Sequence, residues 1–257
     1  MKKLLLVLVA FAALSAGAFA QEIDPDINQI ALTKEDSRFH ADLHLGFPMY
    51  FGSSALVNTT YKGAWATYEH LPADIMELGR DTKTTDFMDT QIGRNFVYGL
   101  EMASLHFTAD ESPLDISLGL RWTFMDFTFK DPGITLRPVN GTYLPSLIAL
   151  EASDYDGKKS KIHATYLGVP LRFTFQADDV RAFVGASAEY RVGGYTKYKN
   201  PKHRAPHSGI FSPFRATVEA GVSYKTLGLF VSYGLTPLFP EELSDARTLS
   251  FGIIFGR

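Results

Sequence analysis

His163-Ala-Thr-Tyr-Leu-Gly-Val-Pro-Leu-Arg-Phe-Thr-Phe175 and, after the polar turn Gln176 to Asp179, Val180-Arg-Ala-Phe-Val-Gly-Ala-Ser-Ala-Glu-Tyr-Arg-Val-Gly193 carry the pattern that decides the fold. In the first stretch every odd position from Leu167 to Phe175 is apolar, while Tyr166, Gly168, Pro170, Arg172 and Thr174 alternate with them. In the second, Val180, Ala182, Val184, Ala186, Ala188, Tyr190 and Val192 share a face against Arg181, Gly185, Ser187, Glu189 and Arg191. Period-two alternation places successive side chains on opposite faces of a strand. Two such runs joined by a short polar turn predict a hairpin. Globular strands have about 5–6 residues, and these runs are roughly twice that, the length a tilted strand needs to cross a bilayer.

The chain begins with a short basic stretch (Lys2, Lys3), an apolar run from Leu4 to Leu14 and a small-residue site at Ala18-Phe-Ala20. That is the layout of a cleaved secretory signal peptide, expected over residues 1–20. The leader has no Cys to carry a lipid anchor, and the whole chain of 257 residues has none, so disulfides are excluded. Losing Lys2 and Lys3 takes the formal charge from −3 to −5, too acidic for a nucleic-acid partner. After the leader no apolar run reaches the ~18 residues of a spanning helix, so any membrane crossing must be made by strands.

Residues 21–37 are polar and mixed, and predict a periplasmic N-terminal segment. Over 38–257 the alternation returns eight times: about 38–50, 95–107, 114–129, 162–175, 180–193, 214–224, 229–235 and 248–257. In the second run the phase slips by one residue near Ala103, the signature of a β-bulge. The third run reads as a second slip, from Phe124 to Met125, Phe127 and Phe129. Pro170 cannot donate to a ladder, so an unpaired site or a bulge is expected there. Short connections (near Asp110, Asp178 and Thr226) alternate with long ones, around Trp65, Asn140 and His203 and from Pro237 to Arg247. Short turns on one side and long loops on the other are the layout of an outer-membrane barrel. The prediction is therefore an all-β, eight-stranded antiparallel transmembrane barrel of outer-membrane type, in a Gram-negative bacterium.

Strand charges test this reading. Asp42, Glu101, Asp115, Arg121, Asp126, Arg172, Arg181, Glu189, Arg191, Arg215 and Glu219 all fall on the face opposite the apolar one. Facing lipid, an Arg or Lys would cost about 2–4 kcal/mol at mid-membrane. The predicted lumen holds a structural charge cluster of Asp42, Glu101, Arg121, Arg172, Glu189, Arg191, Arg215 and Glu219, with Arg172, Glu189 and Arg191 in one hydrogen-bonded group. Phe39, Tyr50, Trp122, Phe127, Phe129, Phe175, Tyr190, Tyr224 and Phe255 lie near strand ends, where aromatic girdles belong.

Tyr166-Leu-Gly-Val-Pro-Leu-Arg-Phe-Thr-Phe175, followed by a polar turn and a Gly/Ala-rich strand, resembles the PorT-like outer-membrane β-barrel domain of Bacteroidota. The resemblance covers about 38–257 and implies an eight-stranded barrel far more than it implies any activity. Ser250, Gly252 and Phe255 are similar to the final-strand signal read by the barrel-insertion machinery, although Arg257 stands where that signal has an aromatic residue.

Other candidate chemistries have plainer readings. His40 and His44 flank Asp42, but strand residues four apart are about 13 Å apart, too far for one metal ion, so interior hydrogen bonding is expected. His203 and His207 sit in a basic loop. Ser104 and His106 share a face, the residue types that barrel-type lipid deacylases use, and are expected as interior polar residues near the short-turn end. No catalytic residue, metal site or cofactor is expected. The leading expectation is a non-enzymatic envelope barrel with a side-chain-filled lumen, serving structure, assembly or secretion support, or surface binding. Its partners would be outer-membrane lipid, the insertion machinery and a loop ligand or envelope partner. The alternatives are a lipid-modifying outer-membrane enzyme and a soluble calycin-like barrel with an apolar ligand.

Overall fold

The longest strands are the two that the sequence singles out. In the computed structural model, which describes residues 33–34, 42–51, 90–108, 112–130, 132–139, 142–147, 158–199, 202–206, 208–240 and 244–256, eight long strands run antiparallel. They are β1 (Asp42–Phe51), β2 (Phe96–Thr108), β3 (Leu114–Thr128), β4 (Lys159–Ala177), β5 (Val180–Lys199), β6 (Phe214–Tyr224), β7 (Leu227–Gly234) and β8 (Arg247–Phe255). Each pairs with its sequence neighbours, and β8 pairs with β1, so the sheet closes. The result is the predicted eight-stranded antiparallel barrel. The signal-peptide region 1–20, His40, Trp65, Asn140 and His207 lie outside the described residues, as does the segment 21–37 except for residues 33–34.

Local chemistry explains the joints. The two-residue turns at Asp178-Asp179 and Lys225-Thr226 place Asp178 and Lys225 at positive φ, 51° and 53°, a conformation Asp tolerates better than most residues. The ladder between β2 and β3 shifts between Glu101 and Ala103, the expected bulge. Beside Pro170 the β3–β4 ladder lapses between Leu118↔Leu171 and Arg121↔Gly168, then resumes in the same register. At the closing seam, Gly46 faces Gly252. A Cβ on Gly252 would lie 2.0 Å from the Leu45 carbonyl oxygen and 2.4 Å from the Gly46 Cα. Only glycine permits backbones that close together.

The third strand corrects the sequence reading. Its inward residues run without a break through Ser117, Arg121, Thr123, Met125 and Phe127, so no second slip exists. What changes is the polarity of the faces. Up to Phe124 the outward side is apolar and the inward side polar; beyond it Met125, Phe127 and Phe129 are buried and Asp126 faces outward. The inward sides of β1, β2 and β4 turn apolar at the same end, with Tyr50, Val97, Tyr166, Ala164 and Ile162 buried. Tyr50, Phe127 and Phe129 are therefore core residues and not girdle aromatics, and Asp126 is not a lumen charge. Sequence periodicity reports polarity, and an exchange of polarity mimics a shift of phase.

The long-loop end is built as an apolar core. Ile134 and Leu136, from a hairpin of Ile134–Val139 with Thr142–Leu147 that the sequence reading took for loop, join Ile210, Phe211, Leu238, Phe239 and Ala246 above the inward aromatics. Tyr50 packs against Phe127 at 5.0 Å and Phe239 at 5.4 Å between ring centroids. A backbone bond from Ser212 N to Leu238 O (2.9 Å) ties the β5–β6 and β7–β8 connections together, and one from Leu238 N to Ala246 O (2.7 Å) closes the latter on itself. Asn95 clasps the rim, donating to Pro48 O (2.9 Å) and accepting from Thr128 N (2.8 Å).

Candidate functional site: the charged lumen

Beneath the apolar cap, inward positions from five strands bring three arginines against three glutamates. Arg121 Nη1 donates to Glu219 Oε2 at 2.7 Å, and Arg172 Nε to Glu219 Oε1 at 2.6 Å, so one carboxylate joins two guanidiniums. Arg172 also reaches Glu101 (2.9 Å), Asp42 (3.4 Å) and the His44 ring (2.9 Å). Arg215 Nε donates to Glu189 Oε2 at 2.6 Å, and the second Glu189 oxygen accepts from Thr123 at 3.1 Å with Arg121 3.7 Å away. Arg121, Arg172, Arg215, Glu101, Glu189 and Glu219 are all buried. Neutralised in this way, they avoid the several kcal/mol that an unpaired buried ion costs.

Glycines make the room. A Cβ on Gly119 would lie 2.3 Å from the Glu101 carboxylate, one on Gly168 2.4 Å from Glu189 Cγ, and one on Gly185 2.9 Å from Arg172 Cγ. Each long ionic side chain thus lies across a glycine on the adjoining strand, the small-against-large interior of a narrow barrel. Free space among His44, Arg121, Glu189, Arg215 and Glu219 is about 30 Å³. That holds on the order of two waters. Eight strands close around their own side chains.

Seven of the eight expected cluster members meet here: Asp42, Glu101, Arg121, Arg172, Glu189, Arg215 and Glu219. The eighth does not. Arg191 follows Glu189 on the same inward side but makes no ion pair among the described residues, because Arg215, Thr123 and Arg121 already occupy the Glu189 carboxylate. The expected grouping of Arg172, Glu189 and Arg191 is accordingly replaced by two centres, Arg172–Glu219–Arg121 and Arg215–Glu189. His44, read as an interior hydrogen-bonded residue, is one. Arg181 sits at the short-turn rim instead, donating to Lys225 O at 2.5 Å.

Nearer that rim, Ser104 Oγ and His106 Nε2 are 2.8 Å apart, and His106 Nδ1 lies 2.8 Å from Asp115 Oδ2. The expected interior placement holds, and Asp115 completes a hydroxyl–imidazole–carboxylate relay that the sequence reading did not assemble. The three residues come from two strands on facing rungs, His106↔Ser117 and Thr108↔Asp115. Matching inward parity across a short turn is the signal that could have found it. Ser104 is almost wholly buried, at 8 % exposure. Among the described residues no group of three or more His, Asp or Glu is placed to hold a metal ion.

Architecture and lumen together define a class: a closed eight-stranded β-barrel whose interior is a salt-bridged, side-chain-filled core. Comparison with known proteins adds only a distant likeness. No family model and no curated protein matches the chain. Among solved structures it is similar to the crystal structure of Neisserial surface protein A, with 9 % identity over 86 % of this chain and 99 % of that one, at a TM-score of 0.37.

Proposed function

We propose that the protein is a non-enzymatic barrel of a Gram-negative outer membrane, embedded by its outward belt and plugged by its lumen. The observation that carries this is the exchange of face polarity at a common level. Over the span from the short turns to Trp122 and Leu167, the outward face exposes Leu118, Leu120, Val169, Leu171, Phe173, Val184, Val231, Phe251 and Ile253. A contiguous apolar surface of this extent is not sustained in water. A soluble calycin-like barrel would put these residues inside and the arginines outside. Beyond the boundary the ordinary arrangement returns, apolar inside and Asp126, Lys161 and His163 outside. None of the described helices is long and apolar enough to cross a membrane.

On this reading the apolar-capped, long-loop end faces the cell exterior and the short turns face the periplasm. The role proposed is in envelope structure, assembly or secretion support, or surface binding, with the insertion machinery as its partner during biogenesis and the loops as its binding surface. The deciding experiment puts Arg at Val184 or Val231. Each should cost about 2–4 kcal/mol of folded-state stability in bilayers, and a loss below about 0.5 kcal/mol in both overturns the membrane reading. In planar bilayers the wild-type protein should carry no steady current.

The Ser104–His106–Asp115 relay favours the lipid-modifying alternative as a second reading. Nucleophile, base and orienting acid are in contact, but acyl transfer also needs the hydroxyl open to substrate. An alkyl fluorophosphonate distinguishes the two. Labelling at Ser104 that disappears in His106→Ala supports the enzyme; an unlabelled folded barrel supports the structural role.

A further inference from the structure

Above the apolar belt, the outward rungs of β4 and β5 oppose like charges. Lys159 faces Lys199, and Lys161 faces Lys197, which in turn faces Arg204 on the short edge strand His203–Pro206. Like charges directly opposite one another destabilise a ladder. Lys197, Lys199 and Arg204 put three cations on two adjoining rungs, a cost without a return unless something anionic lies there. The carboxylate drawn in from β3 is Asp126, and both its oxygens are engaged, one with Lys161 Nζ at 2.6 Å and the other with His163 Nδ1 at 2.7 Å. Among the described residues no carboxylate lies against Lys197, Lys199 or Arg204, so that part of the surface keeps a positive charge.

The next rung shapes the surface. His163 stacks on Tyr195 with centroids 4.4 Å apart, and the Arg204 guanidinium lies 3.9 Å above the same ring. Beside them Gly193 and Gly194 leave a recess of about 450 Å³, floored by Thr165 and edged by Arg204. A Cβ on Gly193 would meet nothing nearer than 3.8 Å, so the dent is open. Tyr195 is three residues beyond Val192, which is 47 % exposed and the last large apolar residue of the belt on β5. Three residues span about 10 Å along a strand and roughly 7–8 Å along the axis of a tilted barrel. That is headgroup depth.

We propose that this flank of β4 and β5 is a docking surface for the anionic phosphate headgroups of membrane lipid, with acyl chains running down the belt past Val192 and Leu167. The proposal rests on the membrane-embedded reading above. Continuity between the cationic recess and the apolar belt selects a lipid over a free anion, since a free anion would gain nothing from the belt.

The test uses the full folded barrel in phosphatidylcholine nanodiscs, with phosphatidic acid titrated in and retained lipid counted by native mass spectrometry. Wild type should retain phosphatidic acid over phosphatidylcholine. Each cation lost near an anionic headgroup costs about fivefold in affinity, so Lys197→Gln with Arg204→Gln should lower the preference about 25-fold. Lys225→Gln, at the opposite end, should leave it unchanged. Lys199→Gln, a single exposed site, should lower it about fivefold and serves if the double variant does not fold. Equal preference in wild type and variants overturns the docking surface, as does displacement of the lipid by inorganic phosphate at matching concentration. A folded barrel that does not enter phosphatidylcholine bilayers overturns the membrane reading and the docking surface together; one that enters but ignores the phosphate overturns the docking surface alone.

Discussion

Replacing Glu219 by alanine is the most demanding test of the lumen, because that one carboxylate neutralises two guanidiniums. Its oxygens accept from Arg121 at 2.7 Å and from Arg172 at 2.6 Å, and all three side chains are buried. Charge-assisted bonds contribute about 1.5–3 kcal/mol each, and breaking a buried ion pair from one side costs about 3–5 kcal/mol. Two residual contacts soften the loss. Arg172 keeps Glu101 at 2.9 Å, and Arg121 keeps Glu189 at 3.7 Å. The expected destabilisation is therefore about 3 kcal/mol, near the low end of that range. It should be read from the urea midpoint of the folded form in detergent micelles, followed by the heat-modified shift in gel mobility. Adding Arg121→Met to Glu219→Ala should recover part of the loss, since it removes one stranded cation. A loss below about 1 kcal/mol, or a double variant less stable than the single by the full cost of another cavity, would refute the account of the lumen as a mutually neutralised core.

Two further predictions concern packing. Gly252→Val should prevent the closing seam from forming and abolish the heat-modifiable species, because its Cβ meets the Leu45 carbonyl oxygen at 2.0 Å, whereas Gly193→Ala, with nothing nearer than 3.8 Å, should leave it intact. Phe211→Ala should cost about 3–5 kcal/mol, as is usual for a fully buried aromatic, and Phe211 stacks on Phe239 at 5.8 Å in the cap. Protease sensitivity should then rise at the long-loop end while single-channel recordings stay silent, because the ionic layer beneath the cap still fills the lumen.

Much of the barrel was legible in the sequence, and the reasons are specific. Strand β6 is bounded by a Pro before Phe214 and by the tight Lys225-Thr226 turn, so alternation alone delimits it. Strands β4 and β5 extend beyond the alternating runs 162–175 and 180–193, because Lys159 to Lys161 and Tyr195 to Lys199 carry the reversed pattern, polar outward and apolar inward. The same reversal made Met125 and Phe127 look like a slipped register. The lumen cluster was legible because Arg and Glu share one parity opposite a continuous apolar face, and in a closed barrel that parity points inside. Which Arg meets which Glu was not, since that depends on strand stagger: Glu189 sits opposite Arg215 across β5 and β6, and this outweighs its nearness in sequence to Arg191. The basic residues at 197–204 read as a loop because no single segment shows that three strand edges place them on shared rungs.

The seam between β8 and β1 has a consequence for how the molecule comes into being. Leu45 finds its ladder partner Ile253 only when nearly the whole chain exists. Every other stave meets a neighbour that is adjacent in sequence. Joining two points about two hundred residues apart in a loose chain carries an entropy cost of about 5 kcal/mol, but each hairpin formed beforehand shortens the effective loop. Closure is thus the natural last event, and before it the chain is a curved ribbon with two bare edges. Unpaired N–H and C=O groups on such edges invite any other strand. The glycine contact at Gly46 and Gly252 helps to decide which strand is accepted: backbones that must approach so closely admit this partner and turn away a strand carrying a side chain at that rung. The feature that tightens the finished barrel also proofreads its assembly.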